Sequence, residues 1–468
     1  MHAIPMLLRF RHARHLIAAG GLLAASFASP AAELARVEGF GPVSRGLGGG
    51  GLAHRTGAAA SLLNPAELLS LDGEREFLFQ FTEIQARVEV INRDTGEAVR
   101  NQGYGANRGP YDLPEIAFAM RRGNWAFGTG LFAAGGFGIE FGRDSFLSTT
   151  TTNRVVTGLP ISSRIGVMRV PLAIAWRPHR QWRIGASLDY VNSSANLANL
   201  LDAQQVGSLI AEGRATGSLV PVLAGIPNLS GAHFDFVRNN YLSSALTTQG
   251  IGGRVSISWQ PVEATTLALG YEFETRLANY KGRGALTAID ADNNQIVLPG
   301  RGQLPRLQFP DAWLLGVSQR ITPALAVVAD LRHMFWSKAL GNTVVRFDAD
   351  GGGDLRVSLP TGFRDITTLS LGAEWQFLPA WTLRAGGSLA FQQLQYSHAL
   401  SASFSTTTRN HLTSTLSWRL ARAHELGLGL SYGFTPSVRS PGGTVNSLPP
   451  IEVRNRQFNP VLNYGYRF

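Results

Sequence analysis

The sequence predicts an all-β fold: a transmembrane antiparallel β-barrel of about fourteen strands, with an N-terminal plug inside its lumen. Three observations predict it. The chain opens on an export leader, repeats one hairpin pattern six times, and ends on an alternating strand whose last residue is the aromatic Phe468.

The leader comes first. Arg9, Arg11 and Arg14 precede an apolar core from Leu16 to Ala28, too short to cross a bilayer as a mature helix. Ser-Pro-Ala-Ala follows, so residues 1–32 read as a signal peptide cleaved between Ala28 and Ala32. No later stretch approaches the roughly 18 to 20 apolar residues that a transmembrane helix needs. An exported chain of this kind is periplasmic, secreted or an outer-membrane barrel.

Composition narrows the choice. Charged residues are 16% and hydrophobic ones 44%, which is too apolar for a disordered chain. There is no cysteine, hence no disulfide framework and no thiolate metal site. The formal charge of +10 is almost all arginine, the only lysines being Lys281 and Lys338. Those arginines are scattered rather than clustered, which argues against a nucleic-acid partner and leaves pairing with phosphates of outer-leaflet lipid as a lesser role.

The hairpins fall at 115–134, 173–190, 256–273, 317–335, 372–391 and 415–434. Each has an arm often closed by an aromatic, a short turn, and a second arm alternating with period two, the mark of a strand with one apolar face. Trp182, Ile184, Ala186, Leu188 and Tyr190 share one face, while Arg183, Ser187 and Asp189 share the other. A first strand at 76–90 and a last at 459–468 bring the count to fourteen, with arms of about 9 to 11 residues. Long irregular stretches at 193–249, 278–310 and 336–365 separate the hairpins. Short turns on one side and long loops on the other are the layout of an outer-membrane barrel. Closure lets every backbone polar group find a partner within lipid. Trp176, Trp182, Trp259, Trp375, Trp381 and Trp418 supply an interfacial girdle.

Residues 33–75 do not fit a bare barrel and read as a hatch. They are rich in Gly and Ala, lack strand alternation, and hold one short helix-like run near Ala58–Leu63. A fourteen-stranded bore is wider than side chains alone fill, and small residues let this backbone pack against its wall.

Motifs here carry a resemblance. Gly39-Phe40, Gly46-Leu47-Gly48 and Asn64-Pro65-Ala66, then 309–339 with its Phe-Pro-x-x-Trp start and Trp-Ser end, and 365–386 ending in Leu-Arg-x-Gly, resemble the FadL/TodX-type outer-membrane transporters in the same order. The resemblance implies passive uptake of long-chain fatty acids or other hydrophobic compounds across the outer membrane. Ligand would land in a groove of loops 193–249 and 278–310, enter a lumen pocket, and leave sideways through a kink in the third strand. Gly135, Gly136 and Gly138 stand at the matching place. Apolar residues in the first loop (Leu197, Leu200, Leu201, Val206, Leu209 and Ile210 at helical spacing, then 219–229) agree with a binding surface. The resemblance also implies a monomer surrounded by outer-membrane lipid and lipopolysaccharide, with the C-terminal strand as signal to the barrel-assembly machinery.

Arg183, Arg254, Arg332 and Arg384 face inward by alternation and are the candidates for holding a carboxylate head group. Most such groups read as lumen salt bridges. Gly46–Gly51 matches G-x-G-x-x-G but lacks the preceding strand that a dinucleotide site requires. Acidic runs at 290–294 and 348–354 start like calcium loops, yet Arg301 and Leu359 stand where the terminal glutamate belongs. No nucleophile signature appears, so no enzyme, cofactor or metal is expected. A polar-solute porin and a structural or adhesin barrel remain the alternative readings.

Overall fold

The computed structural model describes residues 37–101, 105–241, 243–305, 307–392, 395–404 and 410–468. The expected signal peptide, 1–32, lies outside the described residues, as do the first residues of the expected hatch.

The wall is built from β1 (Arg75–Asn92), β2 (Tyr111–Arg122), β3 (Trp125–Phe141), β4 (Ile161–His179), β5 (Trp182–Asp202), β6 (Leu246–Val262) and β7 (Thr265–Leu277). It continues with β8 (Ala312–Thr322), β9 (Leu325–Met334), β10 (Ile366–Leu378), β11 (Trp381–Ala390), β12 (Asn410–Arg419), β13 (His424–Ser440) and β14 (Ile451–Arg467). Each strand pairs antiparallel with the next. Strand β14 returns to β1, from Arg467 opposite Glu76 to Ile451 opposite Asn92. The circuit of fourteen is closed, and no edge is left to lipid.

The faces are inverted relative to a water-soluble fold. Leu172, Leu188 and Leu428 are 64%, 58% and 65% exposed, whereas Ser258, Asp189 and Asn459 are fully buried. Soluble proteins bury the first kind and expose the second, so the outer face is built for hydrocarbon. Three tryptophan pairs stack across neighbouring strands near the short turns: Trp125 on Trp176, Trp182 on Trp259 and Trp381 on Trp418. Of these, Trp125 is the one that the expected girdle omitted.

The strands are longer than their apolar arms. β4 has 19 residues and β5 has 21. Continuations of the strands rise above their lipid-facing stretch and pair with segments that read as loops. Leu197–Asp202 at the top of β5 pairs with Leu229–Phe236, which pairs in turn with Tyr280–Asp290. Tyr280–Asp290 then pairs with Gln295–Leu304. Helical spacing across 197–210 is therefore correct only in its second half. Ala203–Ala211 is the helix, capped by Asp202 with Gln205 reaching back to the Asp202 N–H. Among the described residues no helix is long and apolar enough to cross a membrane.

Candidate functional site

The lumen is occupied by Val37 to Asp72. Pro42 opens a short helix at Gly41–Gly46, a 3-10 turn leads into Ala60–Leu63, and Pro65–Ser70 is a second 3-10 helix. So irregular a backbone must find partners for its N–H groups, and the wall supplies them. Gly41 N–H donates to Glu115 of β2 at 2.8 Å and Gly48 N–H to Thr413 of β12 at 2.9 Å. Leu52 N–H donates to Asp330 of β9 at 2.7 Å and Ala66 N–H to Ser256 of β6 at 3.2 Å. Partners on β2, β6, β9 and β12 surround the segment, which places it inside the ring.

Asn64-Pro65-Ala66 has a physical rationale at each position. Asn64 is extended and caps the second 3-10 helix, its Oδ1 accepting from Ala66 N–H at 3.1 Å. Pro65 stands at the first helical position, where no N–H is needed. The Asn64 amide donates to the Leu52 carbonyl at 2.6 Å and to Ser258 of β6 at 3.2 Å, tying two hatch segments to the wall. Ala66 lies against Gly185 of β5, where a Cβ would stand 2.2 Å from the Ala66 nitrogen. Gly46–Gly51 is likewise a packing device. A Cβ at Gly48, whose φ is +69°, would reach within 2.5 Å of the Gly387 nitrogen on β11. Among the described residues no strand precedes it.

Ion pairs fasten the hatch. Arg45, 1% exposed, lies 2.7 Å from Glu115 and 3.3 Å from Glu38. Burial alone would raise the Glu38 carboxyl, but Arg45 beside it holds it below its ordinary value. His54 bonds Ser318 at 2.9 Å and Glu374 at 3.3 Å. Nothing in the spacing of these residues announced them: Arg45 and Glu115 are 70 positions apart.

The four candidate arginines do not converge on one point. Arg183 pairs with Glu67 of the hatch at 3.0 Å. Arg384 is held by Glu374 at 2.6 Å and by Ser417 at 2.8 Å. Arg332 lines a small cavity with Leu63, Leu314 and Asp330. Arg254 stands 3.6 Å from Asp189 and 3.5 Å from Glu272. Arg169, which alternation arguments did not single out, lies 3.3 Å and 3.1 Å from the same two carboxylates.

Arg254, Arg169 and Glu272 form the polar side of a lumen cavity of about 40 Å³. Its other side is apolar: Phe40 and Leu62 from the hatch, Ala134 from β3, and Phe309, Met334 and Trp336. Phe309 packs edge-on to Trp336 with centroids 6.3 Å apart. A benzene ring occupies a dry cavity of roughly 150 Å³, so the resting site has to widen to admit one.

Beside the cavity β3 leaves its neighbour. Pairing of β2 with β3 ends at Glu115 opposite Phe132, while β3 stays on β4 through a register shift between Ala133 and Gly135. A Cβ at Gly136 would lie 2.6 Å from the Ile165 carbonyl oxygen, and one at Gly138 2.1 Å from the Tyr111 hydroxyl. Gly135, Gly136 and Gly138 thus stand where β3 has left β2 while still paired with β4, and Tyr111 of β2 fills the space beside Gly138. Neither acidic loop run gathers into a site. Asp290 caps its own turn by accepting from Asn294, Asp350 pairs with Arg283, and Asp354 accepts from Ser218. Among the described residues no cluster of metal-ligating side chains occurs.

The family model for outer membrane protein transport proteins (OMPP1/FadL/TodX) matches residues 21–441. The chain belongs to that family. It is accordingly an outer-membrane transport protein for hydrophobic compounds, from a family of transport channels. The toluene transporter TodX of P. putida is 29% identical with a TM-score of 0.80, covering 92% of this chain and 99% of its own. The toluene transporter TbuX of Ralstonia pickettii is 33% identical with a TM-score of 0.76, covering 92% and 99%. The monoaromatic hydrocarbon channel CymD is 29% identical with a TM-score of 0.72, covering 92% and 98%. Among curated proteins, none matches the chain.

Proposed function

We propose that this FadL/TodX-family protein admits small neutral apolar molecules of the monoaromatic hydrocarbon class, by passive diffusion. The observation that carries this reading is the charge balance of the lumen cavity. Arg169 and Arg254 face Asp189 and Glu272 within 3.6 Å, two cations against two carboxylates. A carboxylate ligand would have to displace an existing buried partner, at a cost of several kcal/mol. A neutral ring displaces nothing and gains apolar contact with Phe40, Phe309, Met334 and Trp336. The toluene transporters TodX and TbuX and the monoaromatic hydrocarbon channel CymD, to which the chain is similar, agree with this class.

The same geometry supports a route. Ligand gathers at the top of 193–249 and 278–310, where Val222, Ile296 and Val297 are exposed while Leu197, Leu201, Val206 and Leu209 are buried in packing. It passes into the cavity and leaves beside Gly135, Gly136 and Gly138, because Ala134 both lines the cavity and belongs to the stretch of β3 that has left β2. The hatch of 33–75, anchored through Asn64, Pro65 and Ala66, keeps the bore closed to sugars and other polar solutes. The protein works as a monomer among outer-membrane lipid and lipopolysaccharide, and its final strand addresses it to the barrel-assembly machinery.

Whole-cell uptake decides between cargo classes. Cells lacking their own transporters of this kind are given the chain and offered labelled toluene or labelled oleate at low concentration. Accelerated toluene uptake with unchanged oleate uptake is expected. Accelerated oleate uptake with unchanged toluene uptake would restore the fatty-acid reading and return the four arginines to head-group duty.

A further inference from the structure

The Phe-Pro-x-x-Trp and Trp-Ser motifs, which the route above does not use, form a thin partition. Phe309, Pro310, Met334 and Trp336 line the lumen cavity from within. The residues between and beside them, Asp311, Trp313, Phe335 and Lys338, line a groove of about 680 Å³ on the outer face. Val255, Leu269 and Tyr271, which face outward from β6 and β7, complete it. One layer of backbone separates cavity from groove.

That layer is weakly laced. The β7–β8 ladder runs from Thr265 opposite Gln319 to Glu272 opposite Ala312. Beyond it, among the described residues, come the bridge of Thr275 to Phe309 and the Gln308 amide, which bonds the Leu277 N–H and carbonyl at 2.6 and 2.9 Å. Pro310 in the interruption has no N–H to give. On the other flank of β7, the pairing with β6 shifts register between Phe273 and Arg276. Side chains close the break in place of ladder bonds. The Tyr271 hydroxyl donates to Asp311 at 2.5 Å, and the Lys338 ammonium stands 3.5 Å from the same carboxylate oxygen. The height is telling as well. Ala133, where β3 slips, and Phe273, beside the break, are each the ninth residue of their strands counted from the short-turn end.

Resting on the transport reading above, we infer that the β7–β8 break is a second lateral exit, latched by Tyr271 and Asp311, through which the apolar cargo passes from the lumen cavity into the membrane-facing groove. The cavity then empties two ways at one level of the bilayer, past Ala134 on one side and past Phe309–Asp311 on the other. The groove is the landing site. It is large enough for a single aromatic ring, and the rings of Tyr271 and Trp313, 4.8 Å apart, line it.

The chain has no cysteine, so an introduced pair reports cleanly. Positions 273 and 311 face each other across the interruption, between the two flanking pairings. In the Phe273→Cys, Asp311→Cys variant, oxidation is expected to slow toluene uptake by about twofold relative to the same cells after reduction, since the β3 path stays open. Tyr271→Phe, which removes the latch hydroxyl and keeps the ring, is expected to raise uptake by about two- to fivefold. Identical uptake in oxidised and reduced cells, with the cross-link verified by mass spectrometry, overturns the exit. Failure of the pair to cross-link in folded, surface-exposed protein overturns the described geometry and the exit with it. Wild-type protein that does not accelerate toluene uptake brings down the monoaromatic cargo reading on which the exit rests, whereas redox-insensitive uptake removes the second exit alone.

Discussion

Removing the Asn64 side chain isolates what holds the hatch in the bore. In Asn64→Ala three bonds vanish: the cap on Ala66 N–H and the donations to the Leu52 carbonyl and to Ser258. Loss of the cap costs about 1 kcal/mol and no more, since Ala66 N–H keeps Ser256 at 3.2 Å as a second acceptor. The Leu52 carbonyl, in a residue 5% exposed, loses its donor at a cost of about 1–3 kcal/mol. The sum, ~2–4 kcal/mol, falls on opening of the hatch and not on the wall, whose ladder is untouched. At ~1.4 kcal/mol per tenfold, the open population rises between about thirtyfold and about a thousandfold. Hydrogen exchange in lipid nanodiscs reads this directly as faster exchange of the amides in 52–70, with those of β10 to β13 unchanged. Ser258→Ala removes the weaker of the two donations and is expected to give a smaller shift in the same peptides. Equal hatch exchange in Asn64→Ala and wild type would refute the account of the motif as an anchor.

Three further outcomes test other parts of the molecule. Arg45→Met strands Glu38 and Glu115 without their shared cation and is expected to cost about 3–5 kcal/mol, read as protease sensitivity of the hatch; adding Glu115→Gln should recover part of the loss. Leu428→Arg puts a charge on a residue 65% exposed within the apolar face of β13, and urea titration in lipid vesicles should show a loss of about 2–4 kcal/mol; no loss would mean that this face does not meet lipid. His233, buried in the extracellular strand Leu229–Phe236, has its imidazole pushed below the ordinary value of 6.5 by burial, and its Nε2 donates to the Pro160 carbonyl at 2.7 Å. The opened strand then binds a proton more readily than the closed one. Its stability is complete above pH 6.5 and is lost as pH falls below it. Exchange of the 229–236 amides, corrected for intrinsic rate, should therefore accelerate on acidification and become insensitive to pH in His233→Gln.

The wall was legible because lipid imposes one rule on long stretches of chain. Leu426, Leu428, Leu430 and Tyr432 alternate with small or polar residues because one face meets hydrocarbon and the other the bore, and each short turn repeats the demand. That rule lapses above the bilayer. In Leu229–Phe236 nearly every residue is buried, since the strand is covered on both faces, so no alternation marks it. At 197–201 a short apolar run suits helix and strand alike, and pairing with Leu229–Phe236 decides for strand. The glycines that receive the hatch were visible as residues but not as partners. Gly185 and Gly387 look like any glycines of a strand until Ala66 and Gly48 are laid against them.

The inward arginines show the same limit, and it bears on cargo. Alternation correctly turned Arg183, Arg254 and Arg384 into the bore, but their meaning depends on which acids meet them there. Arg183 meets Glu67 of the hatch, Arg254 meets Asp189 and Glu272, and Arg384 meets Glu374. Unpaired, any of them would select an anion, since a buried cation pays heavily for solitude. Paired as they are, they serve two ends at once: they fix the hatch to the wall, and they leave the cavity without net charge. On the proposed reading a lumen built this way discriminates by size and apolarity, and admitting a carboxylate in place of a neutral ring should require removal of an acid, Glu272 or Asp189, and not the addition of an arginine.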